Sequence, residues 1–398
     1  MDSISASWFD SAPDRRGSGS YKWDSSPDPQ VIPMWVADMD FRTAPCVIEA
    51  LKRRVEHGVF GYTLVGDGYY RALTGWFQRR HGYTIDASRV IYTSGVVPAI
   101  SAIIKALASP GEGVIVQTPV YNCFFSSIRN NGCRIVENHL LRRNLPDGDF
   151  TYDIDFDALE QLASDPSNKL LLLCNPHNPC GRIWSREELS RIAEICHRHG
   201  VTVISDEIHC ELTMPGTEYV PFGTVNSSAV ICLSPSKAFN TAGLQIANIV
   251  CPDDITRMLI DRAININEVC DVNPFGVVAL QAAYSPEGEV WLDALRKYLA
   301  DNYACARDIL RRELPALPVA RLEATYLLWV DVSSLGISSE ILEERLRDEA
   351  KVWVNAGEMY GQSGFLRINL ACPQTRLIEG MSRLTSFIKK INKNHRNF

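Results

Sequence analysis

The chain has 398 residues, of which 46% are hydrophobic and 22% are charged, a composition typical of a soluble globular protein rather than a disordered or fibrous one. Its 40 basic and 47 acidic residues give a net charge of −7, which argues against nucleic acid or an anionic membrane as the main partner. Neither a membrane-spanning apolar stretch nor a signal-peptide pattern is present. We therefore expect a cytoplasmic protein that acts on a small molecule.

The cysteines argue against a metal site or a disulfide framework. There are 12 of them in the whole chain, a density far below that of small secreted scaffolds. No Cys-x-x-Cys pair occurs, and no group of histidines has the spacing of metal ligands. We expect reduced thiols and no bound metal.

Residues 1–45 show little periodicity and predict an irregular amino-terminal arm. After residue 90, short apolar runs alternate with longer amphipathic segments, the pattern of a parallel sheet covered by helices. Helices are predicted from Val97 to Ala108 and from Ser185 to His199, where Ser185 and Glu188 form a capping-box pattern. Strands are predicted at Val90 to Ser94, Gly113 to Gln117, Cys133 to Glu137, Lys169 to Cys174, Val201 to Ser205, Ala229 to Ser234 and Ile246 to Cys251.

The last third of the chain has a different pattern. It is helical from Asp253 to Arg312. Further elements are predicted as a strand from Tyr326 to Val332, a helix from Ser338 to Ala350, a short strand from Phe365 to Leu370 and a last helix from Pro373. We predict an α/β protein with a large domain at 46–285 built on a mostly parallel seven-stranded sheet, and a smaller α+β domain at 286–398 with which the arm, residues 1–45, packs.

Polar motifs follow four of the predicted strands. Because ligands bind at the carboxyl ends of parallel strands, we expect these motifs to form one site. Together they offer a lysine, a carboxylate, an amide and a helix amino terminus, a set that suits an anionic aromatic cofactor with a carbonyl group. The motifs are Gly95-Val96-Val97, Asn175-Pro176-His177-Asn178-Pro179, Asp206-Glu207-Ile208-His209 and Ser234-Pro235-Ser236-Lys237.

From Trp35 to Pro373, the order and spacing of the motifs resemble the class I and II aminotransferase superfamily of fold-type I pyridoxal-phosphate enzymes. Within it, the chain is most similar to the carbon–sulfur lyase branch of cystathionine β-lyase-like proteins. Besides three of the strand-end motifs, the resemblance rests on the segments Trp35-Val36-Ala37-Asp38-Met39-Asp40-Phe41, Phe60-Gly61-Tyr62-Thr63, Pro119-Val120-Tyr121 and Arg367-Ile368-Asn369-Leu370-Ala371-Cys372-Pro373.

The resemblance implies pyridoxal 5′-phosphate as the cofactor and assigns residues to its ring. Lys237 would form the Schiff base with the cofactor aldehyde and remove the Cα proton of the substrate. Asp206 would pair with the pyridine nitrogen, Asn178 would donate to the 3′-oxygen, and Tyr121 would stack on the ring. For His209 two interpretations stay open, a hydrogen bond to the ring oxygen or simple packing beside Asp206.

The phosphate needs hydrogen-bond donors, which the helix start at Val96 and Val97 supplies as backbone N–H groups. The hydroxyls of Ser234 and Ser236 add to them. In the resemblance, Tyr62 reaches the phosphate of a neighbouring subunit, which implies a homodimer with active sites at the interface. Many aminotransferases place an arginine eight residues after the Schiff-base lysine, whereas this chain has Gln245 there, which favours the lyase branch.

The resemblance also implies an amino-acid substrate. Arg367 would hold its α-carboxylate through a bidentate pair. Trp35 and Asp38 belong to a segment that covers the substrate in relatives, and Asn178 would contact it from the cofactor side.

Three functions compete. The first is a β-lyase that cleaves L-cystathionine or another L-cysteine S-conjugate to a thiol, pyruvate and ammonia. The second is an aminotransferase that uses the same residues, and the third is an additional regulatory role in binding a partner. A nicotinamide dehydrogenase is disfavoured, because Gly66-Asp67-Gly68-Tyr69-Tyr70-Arg71 fails the dinucleotide pattern and no strand precedes it.

Overall fold

The computed structural model describes residues 7–268 and 271–395. Its centre is a seven-stranded sheet in which six strands run parallel and one, Ala247–Val250, is antiparallel to both neighbours. All seven strands coincide with predicted ones, so the mostly parallel sheet is confirmed. In spatial order the strands are Val90–Thr93, Ala247–Val250, Val230–Leu233, Thr202–Asp206, Asn168–Cys174, Gly113–Thr118 and Arg134–His139.

Both faces of the inner strands are buried, which explains why these strands read as continuous apolar runs. The edge strand Arg134–His139 is mostly exposed or part-buried. Val114 and Val116 pack into one core cluster, whereas Ile115 between them packs into another on the opposite face. Helix Val96–Leu107 covers the first face through Ile100 and Ile103, among others.

The helices follow the predicted pattern where it was strongest. The capping box at Ser185 is present, since its hydroxyl accepts from the Glu188 N–H and the Glu188 carboxylate accepts from the Ser185 N–H. Four described helices of eight or more residues before residue 165 had no corresponding prediction. The helices of eight or more described residues are Pro45–Glu56, Asp67–His81, Val96–Leu107, Asn122–Asn130, Phe156–Ser164, Arg186–His199, Asp254–Asn265, Pro274–Ala283, Pro286–Glu313, Ser339–Asp348 and Gln374–His395.

A three-stranded antiparallel sheet of Leu327–Asp331, Phe365–Asn369 and Asn355–Ala356 forms a second unit with its own core. The arm joins it, because Ile32–Pro33 pairs in parallel with Val352–Trp353. The arm also has one-turn helices, Ser7–Asp10 and Tyr21–Asp24, and a hairpin of Leu141–Asn144 and Phe150–Asp153 lies outside both sheets.

The domain boundaries at 45/46 and 285/286 stay predictions, and residues 1–6 of the predicted arm and 396–398 of the predicted small domain lie outside the described residues. The helix Pro286–Glu313, at the second boundary, contributes Trp291 to the core of the large sheet and Leu310 to that of the small one. Within the described ranges, no helix is long and apolar enough to cross a membrane.

Candidate active site

The strand-end motifs meet at a cavity of about 190 Å³. A larger cavity of about 650 Å³ lies between helices Pro45–Glu56 and Pro274–Ala283, but no strand-end motif lines it. The smaller cavity is therefore the candidate site. The predicted site residues that line it are Val96, Val97, Tyr121, Asn178, Asp206, His209, Ser236 and Lys237.

At one end of the cavity, helix Val96–Leu107 begins without a side-chain cap, because its N-cap residue is Gly95. The N–H groups of a first helical turn have no partner within the helix, so this end suits an anion. Ser236 lines the same cavity. Ser234 is placed behind it, donating its hydroxyl to the Ile246 carbonyl at 2.7 Å and accepting from the Ser236 N–H at 3.1 Å.

Asp206 ends the strand Thr202–Asp206 and is 4% exposed. Its carboxylate accepts one backbone N–H, from Ile208 at 3.1 Å. Burial raises the pKa of Asp206 to about 7, against that hydrogen bond and the charge of Lys237. The neighbouring Glu207 does not line the cavity and accepts from Phe222, Ser205, Asn175 and Tyr219. Of these two adjacent acids, Asp206 is the one available to a ligand.

The Lys237 amine donates to the backbone carbonyl of Ala37 at 2.6 Å. Burial lowers the pKa of Lys237 to about 8, and the charge of Arg367 acts in the same direction. The carboxylates of Asp38 and Asp206 oppose this shift. The amine is therefore in part neutral near physiological pH, the form that acts as a nucleophile or a base.

Arg367 connects the two sides of the site. One of its Nη atoms donates to the Asn178 Oδ1 at 3.1 Å and the other to the Trp35 carbonyl at 3.0 Å. The guanidinium lies 4.6 Å from the Tyr360 ring centroid, and its Nε has no partner among the described residues. Because a guanidinium only donates, this contact fixes the Asn178 oxygen toward Arg367 and leaves the Asn178 Nδ2 as a donor.

Tyr121 and His209 complete the lining. Tyr121 precedes helix Asn122–Asn130, and burial raises its pKa above the ordinary value. His209 is 2% exposed, and in the described part of the chain its Nδ1 has no partner. Burial and the charges of Lys237 and Arg367 hold the pKa of His209 well below its ordinary value, so the imidazole is neutral at pH 7.

Residues 35–41, which we call the strap, contact the site mainly through backbone atoms. The Trp35 side chain stacks on Trp353 at a centroid distance of 4.2 Å, and neither it nor Asp38 lines the cavity. The Asp38 carboxylate pairs with Arg15 at 2.7 Å. The sequence pattern pointed to these two side chains, whereas the structure brings the carbonyls of Trp35 and Ala37 to the site.

Three further residues were not anticipated. Tyr326 donates to the Ala37 carbonyl, Tyr360 packs against Arg367, and Asn240 bonds the strap at Met39 and Phe41. Of these, only Asn240 was open to prediction, because it lies three residues after Lys237 in the same loop.

Tyr62 lies away from this cavity. It is 97% exposed, and the nearby Val59, Phe60 and Leu64 are also exposed.

Over residues 7–268 and 271–395, no group of His, Cys, Asp and Glu side chains could hold a metal ion.

The family model described as aminotransferase class I and II matches residues 29–384. The chain is 41% identical over 386 residues to "Cystathionine beta-lyase PatB" of Bacillus subtilis (strain 168), covering 94% of this chain and 98% of that protein. It is 34% identical over 392 residues to "Protein MalY" of Escherichia coli (strain K12), covering 96% and 99%.

Solved structures of similar fold include pyridoxal-phosphate enzymes. The crystal structure of a PLP-bound putative aminotransferase from Clostridium difficile 630 has 38% sequence identity and a TM-score of 0.91, and the match covers 96% of this chain and 99% of that one. Cystalysin from Treponema denticola, which contains a pyridoxal 5′-phosphate cofactor, has 33% identity and a TM-score of 0.91, with 96% and 98% covered.

Proposed function

The chain belongs to the aminotransferase class I and II family, and we propose that it is a pyridoxal-phosphate-dependent carbon–sulfur β-lyase. Its substrate is L-cystathionine or another S-conjugate of L-cysteine, which it cleaves by α,β-elimination to a thiol, pyruvate and ammonia. The observation that carries the proposal is a lysine of lowered pKa, Lys237, in one cavity with the buried Asp206 and with Asn178, which Arg367 orients.

The residues of the cavity fit pyridoxal phosphate. The uncapped helix start at Val96 suits its phosphate, and Ser236 adds a hydroxyl. Asp206, a buried carboxyl with one backbone donor, suits a protonated ring nitrogen, and the free Asn178 Nδ2 suits the ring oxygen. When bound, the cofactor supplies an electron sink for the negative charge that develops at the substrate Cα.

Arg367 binds the α-carboxylate of the substrate. Its bonds to Asn178 and Trp35 hold the guanidinium in place and use only part of its five N–H donors. Its Nε and the remaining Nη hydrogens are left for the carboxylate. Because the same side chain contacts the amide beside the cofactor, the substrate is oriented relative to both.

Lys237 is the residue that would hold the cofactor through its aldehyde, and its free amine would accept the Cα proton of the substrate. A base works best when its pKa lies near the working pH, and the pKa of Lys237 is about 8. Loss of the Cα proton allows the thiolate to leave from Cβ. Tyr121 and the neutral His209 line the same cavity, where Tyr121 would pack against the cofactor ring and His209 would offer a ring N–H.

An aminotransferase is the second candidate, because a protein of known structure with a similar fold and 38% identity is named a putative aminotransferase. Gln245 at the edge of the cavity favours the lyase, since it is a neutral donor where many aminotransferases have arginine.

The two candidates differ in their need for a second substrate. The test incubates the holoenzyme with L-cystathionine, with and without a 2-oxo acid, and measures pyruvate, thiol and new amino acid. A lyase forms pyruvate and thiol in equal amounts without the oxo acid, whereas an amino-acid product that requires the oxo acid would establish the transaminase. Lys237→Ala protein is the inactive control.

We further propose a homodimer in which Tyr62 of each chain reaches the phosphate site of the other. The exposed apolar side chains around Tyr62 support an interface there.

The cytoplasmic location and the domain boundaries at 45/46 and 285/286 remain predictions.

Mixing Tyr62→Phe with Lys237→Ala chains tests the shared site. Each variant alone should be impaired, Tyr62→Phe through roughly ten- to a hundredfold weaker cofactor binding. In the mixture, a Tyr62→Phe chain obtains the hydroxyl from its Lys237→Ala partner, so part of the activity should return at limiting cofactor. Exchange of subunits without any recovery would refute the shared site.

A further inference from the structure

The carbonyl oxygen of Ala37 accepts two side-chain donors at once. The Lys237 amine lies 2.6 Å from it, and the Tyr326 hydroxyl lies 2.9 Å from it. Tyr326 is 1% exposed and does not line the cavity. Its hydroxyl bonds the oxygen that it shares with Lys237, and its ring centroid lies 6.3 Å from that of the cavity residue His209.

Tyr326 is held firmly by the backbone on both sides. The carbonyl of Tyr326 accepts from the Leu370 N–H at 2.8 Å, beside the strand that carries Arg367. Thr325 has a φ of 73°, which a β-branched residue rarely adopts. Its N–H donates to the Leu212 carbonyl, and its hydroxyl accepts from the Leu327 N–H. A strained residue of this kind persists where the surrounding structure requires one particular direction of the chain.

The rest of the strap has its own anchors. Asn369 donates to the carbonyls of Val36 and Asp38, on either side of Ala37. Asn240 pairs with both the N–H and the carbonyl of Met39. Loss of the Tyr326 hydroxyl would therefore leave the strap in place and remove one of the two side-chain donors to the Ala37 oxygen.

We propose that Tyr326 is a positioning residue for the base Lys237, because its hydroxyl holds the Ala37 oxygen where that oxygen accepts from the Lys237 amine. The proposal builds on the role of Lys237 in the proposed function. It assigns the Ala37 carbonyl as the resting place of the amine whenever Lys237 is not bonded to the cofactor. The Asp38 N–H, which donates to the Val36 carbonyl at 2.9 Å, holds the same peptide unit, and the Tyr326 hydroxyl adds the bond that directs its oxygen.

The charged groups that face Lys237 are Arg367, Asp38 and Asp206, and the Cys123 thiol acts on it as well. The neutral His209 also faces Lys237, and its ring centroid lies 6.3 Å from that of Tyr326. Replacing Tyr326 by Phe keeps the aromatic ring beside His209 and removes none of these groups. A carbonyl oxygen stabilises the ammonium form of an amine that donates to it. If the oxygen loses its fixed position, the ammonium form is less stable and the Lys237 amine titrates at lower pH.

The test compares Tyr326→Phe with Tyr152→Phe. Tyr152 is also fully buried, and its hydroxyl bonds Gln362 at 2.9 Å and Trp329 at 3.2 Å, but it does not line the cavity. Both changes remove a buried phenol and the hydrogen bonds it makes. A loss of stability common to both variants is therefore separated from an effect on Lys237.

The first measurement uses cofactor-free protein. Trace acetic anhydride labels lysines at a rate set by the neutral amine, and mass spectrometry of the Lys237 peptide, referenced to the exposed Lys52, gives the titration midpoint. We expect Tyr326→Phe to lower this midpoint and to raise labelling at pH 7 about threefold. Tyr152→Phe should keep the parental midpoint.

The second measurement uses holoenzyme. In Tyr326→Phe we expect kcat to fall about tenfold with KM changed less than about twofold, and the acidic limb of the kcat profile to move to lower pH. An unchanged or raised labelling midpoint, or an equal change in Tyr152→Phe, would overturn the proposal. The labelling result does not depend on which reaction the enzyme catalyses, so it can fail while the lyase assignment stands.

Discussion

Two buried aspartates mark two regions of the molecule that handle charge in opposite ways. Asp40, in the strap, is 1% exposed, and it accepts from the Lys22 amine at 3.1 Å, the Trp23 indole at 2.9 Å and Arg376 at 2.8 Å. Asp206, at the end of the large sheet, is 4% exposed and accepts one backbone N–H. The two carboxyls are equally removed from water and differ in the partners that the chain supplies.

The pKa values follow these partners. Burial works against the charge of Asp40, but Lys22, Arg376 and the Trp23 hydrogen bond hold the pKa of Asp40 below its ordinary value. For Asp206, burial dominates and the pKa rises to about 7. A compensated buried charge ties the arm to the carboxy-terminal helix Gln374–His395 and belongs to the fold. The Asp206 carboxyl has no such compensation, so its burial costs stability, and a ligand that supplies the missing cation explains its presence there.

The largest expected effect is a loss of turnover, from a change at Lys237 in the site that contains Asp206. Lys237→Ala removes both the bond to the cofactor and the base, so turnover should fall by roughly 10³-fold or more. The visible absorption band that the Schiff base between Lys237 and the cofactor gives the holoenzyme should disappear. The far-ultraviolet circular dichroism, which reports the secondary structure, should stay unchanged. A variant that kept the absorption band would place the anchor on another lysine.

The next largest effect is a loss of stability, from a change at Asp40 in the strap. Asp40→Asn removes the fully buried carboxylate that pairs with Lys22 and Arg376, and leaves Lys22 only its longer ion pair with Asp38 at 3.6 Å. Removal of one member of a buried ion pair costs about 3–5 kcal/mol of unfolding free energy. Denaturant unfolding of the cofactor-free protein measures this loss. Asp301→Asn, on the exposed side of helix Pro286–Glu313, is the control and should stay within about 0.5 kcal/mol of the parent. Equal stability of both variants would show that the charge cluster contributes nothing to the fold.

The smallest effect has the opposite sign. In the cofactor-free protein, the pKa of Asp206 is about 7 when folded and near its ordinary 3.8 when unfolded, so the folded state binds more protons between these values. Burial also raises the pKa of Glu207 to about 7, and that contribution is common to both proteins. The parent should therefore lose more stability than Asp206→Asn as pH rises from about 4 to 7. Above pH 7 we expect the variant to be more stable by about 1–3 kcal/mol, with no difference below pH 4. Parallel stability curves would contradict the comparison.

The sequence predicts the Asp206 side of the molecule far better than the Asp40 side. Asp206, Lys237 and Asn178 each follow a predicted strand, and the geometry of a parallel sheet alone requires strand ends to meet. The Asp40 cluster instead joins Lys22 to Arg376, which are separated by most of the chain, and no local pattern marks such a contact.

Backbone groups were equally hidden from sequence reasoning. The strap motif directed attention to the side chains of Trp35 and Asp38, yet Arg367 and Lys237 bond the carbonyls of Trp35 and Ala37. Every residue has a carbonyl, so its use as an acceptor leaves no trace in residue type. The left-handed backbone of Thr325 is also absent from the sequence pattern, because threonine has a low preference for that conformation and would not be predicted to adopt it.

The use of carbonyls by the strap has a consequence for engineering and for evolutionary drift. A bond made to the backbone survives replacement of the side chain, and Val36 and Ala37 are only partly buried. The Val36 side chain can thus be replaced without loss of the contact to Asn369, whereas Ala37 packs against the core of the large sheet and accepts only small replacements. A library randomised at Val36 would change the surface of the strap while the bonds of its backbone to Asn369 and Lys237 persist.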